Sequence, residues 1–350
     1  MFFVFFEKRY AAKYIALLEM TFQLITSESV YCFNKEKTMK RRSSFAICAM
    51  LSQALCGMAL ADGPIDGKVY GKLNTSLLVE KNLGTRNTHL TNNYSYFGLK
   101  GKTKLEDGMV VLYRLEYQVA PDEAGVSSSS IFAQRDSYVG LKTAFGTVVA
   151  GTSSTPLRKV QGKIDQFNFL PLGDIKYLID GEVRIHNVIF YTSPTFKKMQ
   201  VRLATQANEA NQGSNGSSAS FTYKGKSLYL AAGADRRIGK IGEQKDEARL
   251  AVQYRLKTLA LGAILNRSRL TGSSNAKNGW LVSGAYSMGK ITLKAQLGHS
   301  DEISMGRKYV AVGADYSFVK KTRLYTYLAA HDDNAHDRAS VVGFGLEHKF

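Results

Sequence analysis

Cysteine, proline and long apolar runs are all scarce in this 350-residue sequence. The three cysteines, Cys32, Cys48 and Cys56, precede Ala61, so nothing after that point offers a disulfide, a zinc-thiolate site or a thiol nucleophile. Beyond residue 62 no stretch approaches the roughly 20 apolar residues of a membrane-spanning helix. Five prolines stand against 31 glycines, 19 tyrosines and 18 phenylalanines, a mixture suited to short strands and tight turns. The Gly-x-Ser-x-Gly elbow, the His-Glu-x-x-His helix motif and the phosphate-binding loop are missing as well. An apolar share of 44% excludes a disordered chain.

What is present begins with a targeting pattern. Met39-Lys40-Arg41-Arg42 supplies a positive start, Ser43 to Leu60 is largely apolar, and Ala59-Leu60-Ala61 offers a small-x-small cleavage site. Residues 39–61 therefore read as a secretory signal peptide, implying export through the Sec pathway. Residues 1–38 lie upstream of that start and read as a start-site overcall or a disordered extension. Residues 62–350 remain for the fold. They carry 39 basic and 25 acidic residues, a net charge of +14. A soluble nucleic-acid-binding protein would gather such an excess in one patch. Here it is spread over alternate positions, which suits an anion-attracting interior and argues against nucleic acid.

From residue 65 onward, runs of about ten residues alternate in polarity. Val310, Val312, Ala314, Tyr316 and Phe318 share one face, opposed by Tyr309, Gly313, Asp315 and Ser317. Ala248, Leu250, Val252 and Tyr254 likewise oppose Arg249, Gln253 and Arg255. A period of two gives each strand one apolar and one polar face. Short connections such as 105–108, 144–146, 224–226, 256–258, 288–290 and 319–322 alternate with long ones near 81–93, 119–130, 153–186, 208–217, 237–245, 268–278, 299–306 and 332–338. About sixteen strands result, the second starting near 94. The fold class is all-β: an antiparallel transmembrane barrel with short turns on one rim and long loops on the other. A soluble β-sandwich also alternates, but charges on strand after strand would line its dry core poorly.

Several stretches resemble the trimeric sixteen-stranded general-diffusion porins of Gram-negative outer membranes. Tyr96-Phe97-Gly98-Leu99-Lys100-Gly101 followed by Leu105-Glu106-Asp107-Gly108 is similar to that family's second hairpin. Arg135-Asp136-Ser137-Tyr138-Val139-Gly140-Leu141 with Phe145-Gly146-Thr147-Val148 is the strongest match. Asn187 to Pro194 resembles the strand after the family's third loop, and Val312 to Tyr316 with Lys320 to Tyr325 its penultimate hairpin. The terminal Gly345-Leu346-Glu347-His348-Lys349-Phe350 resembles the signal that the barrel-assembly machinery reads, with Phe350 as its key residue.

The resemblance implies an outer-membrane channel for passive diffusion of small hydrophilic solutes and ions, a homotrimer in outer-membrane lipid, no cofactor and no catalytic residue. It also implies that loop 153–186 folds into the lumen as a constriction, an acidic loop opposing a basic wall. Parity turns Lys72, Lys100, Arg114, Arg202, Arg249, Arg255 and Lys294 to the lumen. On the loop, Asp165, Asp174, Asp180 and Glu182 are the acidic candidates, beside Arg158, Lys159, Lys163, Lys176 and Arg184. Basic residues on both wall and loop predict a preference for small anions.

Other expectations concern the remaining aromatics, glycines and histidines. Tyr94, Trp280, Tyr286, Tyr316, Phe318, Phe344 and Phe350 sit where lipid-facing girdles belong. Gly98, Gly140 and Gly313 fall on the lumen side, where they allow strand bending or close approach of the loop. A substrate-specific channel stays open through the lumen-side tyrosines Tyr70, Tyr138, Tyr229 and Tyr309. Weaker alternatives are an outer-rim Ser/His hydrolase and a divalent cation at His331, Asp332, Asp333, His336 and Asp337. No histidine pair has metal-ligand spacing.

Overall fold

A computed structural model describes residues 65–82, 84–122, 133–207, 215–239, 243–335 and 338–350. Residues 1–61, with all three cysteines and the expected signal peptide at 39–61, lie outside them, as do His336 and Asp337. Alternation of the kind described produces sixteen strands. They are β1 (Ile65–Asn82), β2 (Thr85–Asn92 and Tyr96–Lys104), β3 (Val110–Gln118), β4 (Ala133–Gln134 and Ser137–Thr143) and β5 (Gly146–Ser154). Then come β6 (Arg184–Thr192), β7 (Met199–Gln206), β8 (Gly216–Lys224), β9 (Leu228–Ile238), β10 (Lys245–Leu256) and β11 (Leu259–Leu270). The last five are β12 (Ala276–Met288), β13 (Ile291–Ser300), β14 (Arg307–Val319), β15 (Thr322–Asp332) and β16 (Ala339–Lys349). Each pairs antiparallel with its sequence neighbours, and β1 closes on β16 from Lys72↔Lys349 to Asn82↔Ala339. Closure leaves no free edge, as hydrocarbon requires of any strand-built span.

The two interrupted strands carry a correction. β2 starts at Thr85, so most of the expected long loop at 81–93 is strand. Thr85 to Asn92 is nearly all polar and mostly exposed, which leaves alternation nothing to register. The chain then breaks at Asn93–Ser95, where Tyr94 takes a φ of 56°. Buried Asn93 pins the break, its side-chain amide donating to Ser76 Oγ (2.8 Å) and Tyr325 Oη (2.7 Å). β4 breaks at Arg135–Asp136, where the Arg135 N–H donates to the Glu116 carbonyl over 2.8 Å.

One strand face is apolar and exposed, as at Leu250, Leu265, Leu297 and Val342; the other buries Arg249, Asn266, Gln296 and Val341. The first face is the outside of the cylinder, the second its interior. Trp280 lies toward the long-loop ends of the strands, Tyr286, Tyr316 and Phe318 toward the short turns, all on the exposed face with Phe344. Tyr94 departs from this band: the break turns its ring onto Phe169, 5.1 Å between centroids. Phe350 exchanges two backbone hydrogen bonds with Gly71 (3.1 and 3.3 Å).

Candidate channel interior

The connection between β5 and β6, residues 155–183, is the longest between the described strands. Thr155 caps its first turn by accepting from the Arg158 N–H (3.0 Å), with Pro156 at the first helical position. Asp174 caps a second turn at Ile175–Tyr177 through the Lys176 N–H (2.8 Å). Asp165 holds the stretch between, accepting from the N–H groups of Phe167 (3.0 Å) and Ile175 (3.1 Å). Burial, with Asp174 nearby, pushes the Asp165 carboxyl up from its ordinary range.

These turns gather Val160, Ile164, Phe167, Leu178 and Ile179 on one side, packed against the inner wall. The wall receives them on a bed of glycine. A Cβ at Gly233, Gly262, Gly313, Gly298 or Gly279 would stand 2.4 to 2.9 Å from those side chains in turn. Gly313 thus meets the loop as parity suggested, whereas Gly98 and Gly140 face neighbouring wall atoms. Irregular backbone needs partners for its polar groups, and wall side chains supply them. Ser283 Oγ donates to the Ile164 carbonyl (2.7 Å), Gln253 Nε2 to that of Lys163 (3.0 Å), and Tyr327 Oη to that of Pro171 (3.1 Å). Gln296 accepts from the Gln166 N–H (2.9 Å) and donates to the Gly173 carbonyl (2.9 Å), which Tyr309 also bonds.

Charge fixes the far end. Arg249, fully buried, donates to Glu182 Oε1 (2.6 Å) and to the Asp180 carbonyl (2.5 Å). Lys245 and Ser268 bind the Asp180 carboxylate at 2.6 and 2.9 Å. Arg158 takes the second Glu182 oxygen at 3.0 Å. Burial raises the Glu182 pKa despite both arginines. Glu302, on the loop after β13, accepts from the Asp180 N–H (2.8 Å) and Asn266 (2.7 Å); burial pushes it up to about 7. The four acidic candidates therefore divide. Asp165 and Asp174 serve the segment's own backbone, while Asp180 and Glu182 bind it to the wall.

All seven wall cations stand on the inner face, in three settings. Arg249 anchors the segment. Lys72, Arg114 and Lys294 are paired, with Glu347 (4.0 Å), Glu116 (2.7 Å) and Asp315 (2.7 Å). Lys100 lies over the Tyr70 ring at 4.7 Å, and Arg202 and Arg255 line an opening described below. On the segment, Lys163 is exposed, Lys176 bonds Tyr94, and Arg184 pairs with Asp136 (2.9 Å). Arg135, Asp136, Glu116 and Arg323 belong to the same interior network. Parity could have placed Glu116 and Arg323; Arg135 and Asp136 sit at the strand break, where no alternation exists.

Two openings remain beside the segment. One, of about 800 Å³, is lined by twelve basic and five acidic residues, including Lys72, Arg114, Arg135, Lys294, Arg323 and Glu347. The other, of about 690 Å³, has seven basic residues and no acidic one. Lys159, Gly162 and Lys163 line both, so this stretch divides them. Three lumen tyrosines are occupied structurally: Tyr70 bonds Glu116 (2.8 Å), Tyr229 the Val160 carbonyl (3.0 Å), and Tyr309 the Gly173 carbonyl.

Comparison with known proteins agrees with this architecture. The family model for Gram-negative porins matches residues 46–336. The major outer membrane protein P.IB of Neisseria meningitidis serogroup B is 26% identical over 338 residues, covering 87% of this chain and 99% of that protein. Among solved structures, the anion-selective porin from Comamonas acidovorans aligns with a TM-score of 0.70 at 18% identity, over 82% of this chain and 100% of that one. OmpF of Salmonella typhi gives 0.67 at 16%, over 81% and 97%. The trimer form of OmpT, an outer membrane protein of Vibrio cholerae, gives 0.59 at 15%, over 83% and 100%. The chain belongs to the Gram-negative porin family and forms a diffusion channel of the outer membrane.

Proposed function

We propose that this porin admits small hydrophilic solutes with a preference for anions, and that segment 153–186 is its constriction. The observation that carries the reading is the charge on the two openings: twelve basic residues against five in one, seven against none in the other. Low-dielectric walls focus such a field and raise the local concentration of counter-ions. The Comamonas relative, described as anion-selective, has the same fold. A homotrimer is the assembly we favour, because the Vibrio relative is a trimer. Diffusion needs none of the side chains to change covalently, so the channel works without catalysis.

Reversal potentials in a KCl gradient across planar bilayers test the preference. The zero-current voltage is expected on the chloride side; a potassium-side value overturns the reading.

A further inference from the structure

We propose that the acid-free opening is a binding site for small, multiply charged anions, compounds bearing two or more phosphate or carboxylate groups, which occupy it saturably on their way through. The proposal rests on the channel reading above and goes beyond it. A field favours anions in general, whereas a site distinguishes one class of anion from another.

The interior holds two kinds of cation. Lys72, Arg114, Lys294 and Arg323 all have carboxylates within 4.0 Å, so their charge is spent locally. Lys163, Lys198, Arg202, Lys224, Lys226 and Arg255 line the second opening, and among the described residues none of them has a carboxylate that close. They converge from segment 155–183, from the β6–β7 and β8–β9 turns, and from β7, β8 and β10. No local stretch of sequence explains the cluster; the topology assembles it.

The site is also held in place. Arg202 donates to Gln200 Oε1 (2.5 Å), Gln253 fixes the Lys163 carbonyl (3.0 Å), and Tyr229 fixes that of Val160 (3.0 Å). Lys198 sits at φ 70°, a left-handed conformation that costs a lysine about 1 kcal/mol. The volume of about 690 Å³ suits a compound and far exceeds one halide. The seven like charges lining it repel one another. A single chloride relieves one or two of them, whereas a multiply charged anion bridges several at once and releases several counter-ions. Lysine and arginine both hydrogen-bond phosphate and carboxylate oxygens while charged.

The test uses the full chain in planar bilayers in about 0.1 M KCl, where screening extends about 10 Å. Pyrophosphate and citrate are titrated separately against single-channel conductance, and reversal potentials are read on the same channels. We expect conductance to fall along a saturating curve with one or both probes. Pyrophosphate alone would identify phosphate as the recognised group, citrate alone carboxylate, and both would identify charge multiplicity. In the triple variant Lys224→Gln, Lys226→Gln, Arg255→Gln the half-effect concentration should rise roughly tenfold or more, as the focused field is lost. Calorimetric titration of the detergent-solubilised chain with the same probes gives a second readout that needs no insertion into a bilayer. Conductance that stays linear with both probes, or an unchanged half-effect in the variant, overturns the site. If chloride selectivity persists alongside that result, only the site has failed; potassium selectivity would instead overturn the channel reading beneath it.

Discussion

At the scale of single residues, burial decides what a charge is for. Arg249 has no solvent-exposed side-chain surface and three acceptors, on Glu182, Asp180 and Asn266. Arg249→Ala would leave Glu182 buried with only Arg158, and breaking such a pair costs about 3–5 kcal/mol. Thermal unfolding in detergent should show that loss, whereas Arg255→Ala, at an open and unpaired position, should stay within about 0.5 kcal/mol of wild type. Alternation placed Arg249 and Arg255 alike on the inner face and had no means of separating them. The distinction lies in partners far along the chain, Glu182 for one and open water for the other. Asp165 and Asp174 illustrate the same gap. As letters they are acidic loop residues; folded, they cap turns whose geometry no period in the sequence announces.

At the scale of elements, segment 155–183 and its glycine bed form one device. Gly298→Leu would drive a side chain into Leu178, since even a Cβ there stands 2.4 Å from Leu178 Cδ2. The segment should lift from the wall and the single-channel conductance should change, with barrel content by circular dichroism preserved. Deleting 160–180 should raise conductance; an unchanged value would show that this segment is not the neck. The Glu302 contact makes the anchoring pH-dependent. Burial raises this acid from 4.5 to about 7, so the folded state holds a proton there that the unfolded chain has released. Its contribution to stability is complete below about pH 4.5 and is lost as pH climbs through 7. The unfolding midpoint should fall over that window, and Glu302→Gln should flatten the fall. The segment itself was legible from its length, because nothing else between strands is as long. Its seating was not: five glycines on five strands are spaced as ordinary strand residues, and only the folded sheet brings them side by side.

At the scale of the molecule, sixteen strands and their short turns were readable because lipid outside and water inside impose a period of two on nearly every strand. The outer half of β2 escaped because Thr85 to Asn92 is nearly all polar and carries no such contrast. The join between first and last strands depends on space at Gly71, where a Cβ would stand 2.3 Å from the Phe350 ring. Gly71→Val should therefore lower the yield of compact, heat-modifiable barrel on unboiled gels, while Val69→Ile, on the exposed face, should not. That join has a wider consequence. Among the described residues every other pairing links stretches that are neighbours in the chain; β1 with β16 alone unites the first strand with the last. Without it the sheet would keep two free edges and enclose no interior. Permeability is thus a property of the closed cylinder and of no single strand.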